Sequence, residues 1–285
     1  MKISIIGVGL LGGSFALGLK SVEEGHYFIG VDTNEDHAAL AIKLGIIDQT
    51  MHFNQAVKSS DLVVLATPVN VINRQLTEAL NLLPKDAILI DLGSTKSAFN
   101  KIVAEHPKRD QYISCHPIAG TENSGPEAAF SGLFKTKQII ICEKDQSNKL
   151  HLETIVSIFK KLDMHIAYMP SEEHDRHIAY VSHLSHISSF ALGLTVLEKE
   201  RDEKSIFTMA GSGFSSTVRL AKSSPDMWAP IFKQNAVNVS IALEAYIKQL
   251  QNFKEIIDLG AEDKSHELME KANEIRRVLM GLEKG

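Results

Sequence analysis

Three groups of residues in this chain are of types and spacings that do chemistry. The first is Gly7-Val8-Gly9-Leu10-Leu11-Gly12, a G-x-G-x-x-G run. The pattern alone is weak, but here it follows a short apolar run and opens an apolar helical one, as its mechanism requires. Gly7 suits a tight turn, Gly9 a close approach of backbone to a pyrophosphate, and Gly12 close packing of helix on sheet. Free N–H groups at the helix start then face the phosphates. Asp32 ends the next apolar run, where an acidic side chain accepts hydrogen bonds from ribose hydroxyls. Thr33 and Asn34 follow, with no adjacent cation to receive a 2′-phosphate, so the expected dinucleotide is NAD rather than NADP.

The second group lies at the ends of later apolar runs, where open α/β sheets bind ligands. It comprises Thr67-Pro68, Asp91-Leu92-Gly93-Ser94-Thr95-Lys96 and His116-Pro117-Ile118-Ala119-Gly120-Thr121-Glu122. An imidazole at His116 could accept a proton from a substrate hydroxyl as hydride leaves the carbon. Ser94 could share that hydrogen bond, cap the following helix, or do both.

The third group is helical: His174-Asp175-Arg176-His177, then Ser182-His183-Leu184-Ser185-His186. So many histidines raise the question of a metal. On a wheel of about 100° per residue, His174 and His177 face nearly opposite to His183, so no metal site is expected. Asp175, Ser182 and His186 fall within about 40° of one another, a polar stripe able to line a pocket. Arg219 follows Ala210-Gly211-Ser212-Gly213-Phe214-Ser215-Ser216-Thr217-Val218, which reads as a flexible loop. A guanidinium held there suits bidentate carboxylate recognition. Arg176, beside Asp175, is expected to be taken up in a local ion pair.

These residues need a scaffold. Brief runs rich in Ile and Val predict strands over Lys2–Ile6, Tyr27–Val31, Leu62–Ala66, Ala87–Asp91, Tyr112–Cys115, Gln138–Cys142 and His165–Met169. Leu10–Ser21, Glu35–Leu44 and Val71–Leu83 suit crossover helices. The alternation predicts an α/β Rossmann domain, a doubly wound and mostly parallel sheet, over residues 1–170. Ser171-Glu172-Glu173 reads as an N-cap with an acidic first turn. A long helix follows to about Glu200, and helical spacing persists to the end, so residues 171–285 are expected to form an all-α domain. The length of 285 residues fits two domains. A net charge of -5 offers no basic footprint for nucleic acid. No run reaches membrane-spanning length and no leader precedes the first strand, so a cytoplasmic location is expected. Cys115 and Cys142 lie in apolar runs and read as buried free thiols.

Along essentially its whole length the chain resembles the prephenate/arogenate dehydrogenase family. The resemblance runs through the glycine loop, Gly93-Ser94-Thr95-Lys96, His116-Pro117-Ile118-Ala119-Gly120, His174-Asp175-Arg176, Val181 to His186, Gly213-Phe214 to Arg219, and Met227-Trp228. It implies that His116, assisted by Ser94, accepts the hydrogen bond of the ring 4-hydroxyl of prephenate. It also implies that Arg219 binds a carboxylate, that Thr121, Glu122, Ser182 and His186 line or gate the pocket, and that Trp228 closes it. Hydride removal from C4 and loss of CO2 then aromatise the ring. A homodimer through the helical domain is implied as well. Ser185 stands where the family often has proline, which implies a straighter helix, and Ser212 replaces a glycine often found before the arginine. Some relatives carry a C-terminal ACT domain, and none is expected within these 285 residues.

Three other readings stay open on residues alone. Arogenate differs from prephenate by an amino group in place of a keto group on the side chain, and no residue here reads that position unambiguously. A 3-hydroxyacid or 6-phosphogluconate-type dehydrogenase shares the plan but uses a lysine on its helical domain, where this chain offers histidines. A catalytically silent NAD-sensing module would keep Gly7, Gly9, Gly12 and Asp32 without needing His116, Ser94 and Arg219 together.

Overall fold

The computed structural model describes residues 1–203 and 205–283. Its strands are β1 (Lys2–Ile6), β2 (Tyr27–Val31), β3 (Gln49–Thr50), β4 (Leu62–Leu65), β5 (Ile88–Asp91), β6 (Tyr112–Pro117), β7 (Gln138–Cys142) and β8 (His165–Met169). They form one sheet in the order β3-β2-β1-β4-β5-β6-β7-β8. Every pairing is parallel except β6 with β7. Strands buried on both faces read as continuous apolar runs, as in Leu62–Leu65. The two-residue β3 is polar and carries no periodic signal, so the sequence does not reveal it.

Six helices flank these strands in the sequence: α1 (Leu10–Val22), α2 (Glu35–Lys43), α3 (Phe53–Lys58), α4 (Val69–Leu82), α5 (Ser97–Val103) and α6 (Lys149–Lys161). Two apolar clusters hold the layers together. One gathers Ile5, Phe15, Phe28, Ile113 and Phe159; the other gathers Leu65, Ile72, Leu76, Phe99 and Tyr112.

After β8 the chain is helical: α7 (Ser171–Ile178), a π turn (Ala179–His183), α8 (Leu184–Glu200), α9 (Ser212–Val218), α10 (Pro225–Gln234), α11 (Ala236–Asp258), α12 (Glu262–Ala272) and α13 (Arg276–Glu283). The chain separates into two compact units, residues 1–236 and 237–285. Helices α7 to α10 thus pack with the sheet, and Trp228 and Ile231 of α10 join the second apolar cluster.

Four local readings change. Ser171 is inside α7 and does not cap it. Pro170 takes the N-cap position, and Glu143, at the end of β7, accepts from both Ser171 N–H and Ser171 Oγ at 2.7 Å. The long helical stretch expected to about Glu200 contains a π turn at Ala179–His183; just beyond it, the Ser185 hydroxyl reaches back to Val181 O at 3.5 Å. Residues 212–218, expected as loop, are helical. Buried Ser189 of α8 donates to Thr217 O and accepts from Ala221 N–H, so a tertiary clamp overrides the weak propensity of Ser and Gly. Strand β6 continues past Cys115 to Pro117, which places His116 within the sheet.

The glycine turn shows how tightly α1 is seated. Gly7 adopts φ +95°, and a Cβ on Gly12 would lie 2.1 Å from Gly7 O and 2.7 Å from Ile5 Cγ2. No atom lies within 4 Å of a Cβ placed on Gly9. Gly12→Ala is therefore expected to destabilise the fold by about 1–3 kcal/mol, the range for overpacking. Gly9→Ala is expected to cost no more than about 1 kcal/mol, the loss at an N-cap. Urea denaturation of both variants tests this, and equal costs would contradict the packing described.

Candidate active site

Parallel strands deliver their carboxyl ends to one edge, and the strand order reverses between β1 and β4. That is where the glycine turn lies, and such a switch point opens a crevice. Gly9 is the N-cap of α1 with no side-chain cap, so the first N–H groups of the helix remain open. The Val8 side chain is buried, and Leu10 and Leu11 pack against the core, which leaves backbone as the outward surface. Asp32 accepts from Val8 N–H at 3.1 Å and Asn34 N–H at 2.9 Å. Its carboxylate thus sits against the turn it was expected to serve. From β4, a Thr67 methyl lies 3.0 Å from where a Gly7 Cβ would be; Thr67 Oγ1 donates to Gln75 Oε1 at 3.0 Å, and Pro68 N-caps α4. Gly9, the open helix end and an acceptor-only Asp32 make a cradle that fits a dinucleotide.

Further along the edge, β6 delivers His116, which is buried. His116 Nδ1 lies 2.7 Å from Nε2 of His174, and His174 Nδ1 lies 2.8 Å from Asp175 Oδ1. The Asp175 carboxylate also accepts from Lys96 N–H at 2.8 Å and Ser97 N–H at 2.9 Å, capping α5 from another element. Lys96 itself is wholly buried, paired with Asp91 and donating to Cys115 O at 2.6 Å. Asp91 further accepts from Tyr112 OH at 2.7 Å and Gly93 N–H at 2.9 Å. Burial holds the His116 imidazole well below its ordinary range, and His174, the Lys96 ammonium and His183 push the same way. His116 is neutral at pH 7.

A second wall comes from α8 to α10. Trp228 stacks on His186 with ring centroids 3.6 Å apart and meets His183 edge-on at 5.7 Å. His186 Nδ1 lies 3.0 Å from Ser182 O. Asn235 joins the two walls: its Nδ2 donates to Asp175 O at 2.7 Å and lies 3.3 Å from His183 Nδ1. Arg219 reaches Glu122 in the segment after β6 at 3.1 Å. Glu122 is held below the usual carboxylate range by its own backbone N–H and then by Arg219. Thr121 Oγ1 accepts from Asn123 N–H at 3.2 Å. The same segment is tied to α1, where Phe130 N–H donates to Ser14 Oγ at 3.0 Å.

Comparison with known proteins bears on this arrangement. The nucleotide-binding domain of prephenate dehydrogenase matches residues 15–168, and the dimerization domain of prephenate dehydrogenase matches residues 170–271. The chain belongs to the prephenate dehydrogenase family. It is 30% identical over 259 residues to a prephenate dehydrogenase of Bacillus subtilis (strain 168), covering 90% of this chain and 70% of that one. It is 29% identical over 257 residues to a cyclohexadienyl dehydrogenase of Zymomonas mobilis, covering 90% and 88%. The crystal structure of prephenate dehydrogenase from A. aeolicus in complex with hydroxyphenyl propionate and NAD+ superposes with a TM-score of 0.87 at 33% identity, covering 99% of this chain and 98% of that one. The glycine turn precedes the matched span of the nucleotide-binding domain, so in this family member its role is read from its geometry.

Within this prephenate dehydrogenase family member, three readings of the sequence change. Ser94 is half-buried and does not cap α5: Lys96 takes the N-cap position, and Asp175 accepts from the first N–H groups of the helix. Asp175 does not share an open stripe with Ser182 and His186, because it is buried against α5. The wheel assumed one helical pitch, and the π turn changes the rotation between residues 178 and 184. Arg176 is exposed, since both Asp175 oxygens are engaged elsewhere. Asn235 carries no signal in the sequence, and Lys96 stands there only as the end of a run with no role of its own. A lysine is exposed by default, so nothing in its type announces a buried ion pair.

The buried histidines set a pH dependence. His116, His174 and His183 all sit below the ordinary imidazole value through burial, His183 at about 4. They face Asp91, Lys96, Asp175 and His186. The unfolded chain therefore binds protons below about pH 6.5 that the folded chain does not. That stability is fully present above pH 6.5 and is lost as pH falls through the folded values. Asp175, pushed up by burial but lowered overall by its hydrogen bonds, acts in the same direction at lower pH. The urea midpoint should fall steadily between pH 7 and pH 5. A midpoint unchanged over that range would mean that these imidazoles are not buried neutral.

Proposed function

We propose that this chain catalyses the NAD-dependent oxidative decarboxylation of prephenate to 4-hydroxyphenylpyruvate and CO2. One observation carries the reading: a buried, neutral His116 on the same sheet edge as the dinucleotide cradle. The named relatives and the hydroxyphenyl propionate and NAD+ in the Aquifex aeolicus structure support it. Gly7, Val8, Gly9, Leu10, Leu11 and Gly12 would hold the pyrophosphate through backbone, Asp32 the ribose, and Thr67 and Pro68 the floor. NAD, when bound, supplies the acceptor for the hydride from ring C4. Asp32 repels a 2′-phosphate, which favours NAD over NADP.

His116 takes the proton of the 4-hydroxyl as the carbon–oxygen double bond forms. The bond to the ring carboxylate then breaks, CO2 leaves, its electron pair completes the aromatic ring, and the resulting phenolate oxygen takes the proton back from His116. Arg219 offers a carboxylate a forked donor, and Glu122, its partner in the structure, would yield to the substrate. Thr121, Ser182, His186 and Trp228 form the walls. The division at residue 170 into a nucleotide-binding and a substrate-binding domain is part of this reading. So is a homodimer formed through the helical region. The match to a dimerization domain supports it, as do Ile241, Ile247, Leu250 and Ile257 exposed along α11. Among the described residues, no helix is long and apolar enough to cross a membrane.

Absorbance of NADH, with prephenate and arogenate compared, tests the activity. His116→Asn should lower kcat about 10²–10⁴-fold with NAD binding unchanged. Arg219→Ala should raise KM for prephenate about 30-fold, or roughly 2 kcal/mol. No turnover of prephenate, or a near-normal kcat for His116→Asn, sinks the proposal. Sedimentation at micromolar concentration should give a dimer, and Ile241→Glu with Leu250→Glu a monomer; a monomeric unaltered chain refutes the dimer.

A further inference from the structure

The chain of contacts behind His116 determines which of its nitrogens carries the proton. A carboxylate has acceptors only, so the 2.8 Å contact with Asp175 Oδ1 requires a proton on His174 Nδ1. His174 lies below its ordinary range through burial, so the ring is neutral and its Nε2 holds a lone pair. The 2.7 Å contact then requires a proton on His116 Nδ1. His116 is left with a lone pair on Nε2.

We propose that His174 and Asp175 are positioning residues that hold His116 in the Nδ1-protonated tautomer, leaving Nε2 as the base for the substrate hydroxyl. This rests on the reading of His116 as proton acceptor. The anchoring is stiff at both ends. Asp175 is fixed by Lys96 N–H and Ser97 N–H, and its carbonyl by Asn235. His116 is fixed in a central strand. When Nε2 gains the substrate proton, the new positive charge on His116 is opposed by the Lys96 ammonium nearby. The bond from Nδ1–H to His174, backed by the Asp175 carboxylate, compensates. His183, from the π turn, and Asp91, beneath Lys96, are the other titratable groups facing the pair.

The division of labour resembles that of an acid–histidine pair in which the acid sets the tautomer, here with a second imidazole inserted between them. Substituting Asp175 would also uncap α5, so His174 is the residue to change. His174→Leu removes the acceptor. In His174→Gln the side-chain amide restores a carbonyl near the position of Nε2.

The test has two arms. In the unaltered chain labelled with ¹⁵N-histidine, imidazole ¹⁵N shifts report the tautomer, with His116 assigned by its loss in His116→Asn. His116 is expected to be protonated on Nδ1 and bare on Nε2. In the kinetic arm, His174→Leu should lower kcat about 10²-fold or more, as a wrong tautomer does. KM for prephenate should stay within about twofold, and His174→Gln should recover part of the loss. A proton on His116 Nε2 in the unaltered chain overturns the proposal whether or not His174→Leu folds. So does a kcat within about twofold of normal for His174→Leu. If the chain does not oxidise prephenate at all, the proposed reaction fails while the tautomer measurement still decides this inference.

Discussion

The carboxylate of Asp175 accepts from Lys96 N–H, Ser97 N–H and His174 Nδ1, and is nearly excluded from solvent. Much of the site depends on it. A buried charge is tolerable only when hydrogen bonds replace its water, and these three do so. In return the carboxylate joins α7, from beyond the sheet, to the N-terminus of α5, where backbone donors would otherwise lack partners. The same atoms seat His174 against His116. One residue thus determines both where the helical segment meets the sheet and how the proposed base is oriented.

A second buried charge lies directly beneath. Lys96 is the N-cap residue of α5, yet its side chain turns inward to Asp91 and the carbonyl of Cys115, while Tyr112 OH closes the other side of Asp91. Burial and the negative Asp91 push the Tyr112 hydroxyl well above its ordinary range, so it stays a donor. The network ties β5 to β6 at the edge where ligands would sit. Such pairs add less to stability than their contacts suggest, because both ions must be desolvated. Their use here is geometric: the strand ends bearing Gly93 and His116 are held in fixed relation.

Around this rigid floor the walls are more open. Arg219 and Glu122 form a half-exposed pair, the kind that contributes little to stability and can part at small cost. The segment that carries Glu122 is tied to α1 through Ser14 and Phe130. The proposed dinucleotide cradle and the proposed carboxylate site are therefore joined by one segment.

The sequence by itself determined the sheet, because burial on both faces demands unbroken apolar runs and the glycine turn demands Gly7 and Gly12. It also determined that His116, Asp32 and Thr67 reach one edge, since parallel strands send their carboxyl ends the same way. Strand β3 escaped because two polar residues have no period, and α9 because Ser and Gly form a helix there only when Ser189 clamps its end. The partner of His116 was legible only in the tertiary structure. No spacing in the chain pairs His116 with a second imidazole, because such hydrogen bonds form between groups that packing brings within 3 Å. Packing brought His174, which follows β7 and β8 along the chain, and the π turn beyond it changed the regular pitch that a helical wheel assumes for Ser182 and His186. The burial of Lys96 was decided the same way, by an acidic partner that only the folded sheet supplies.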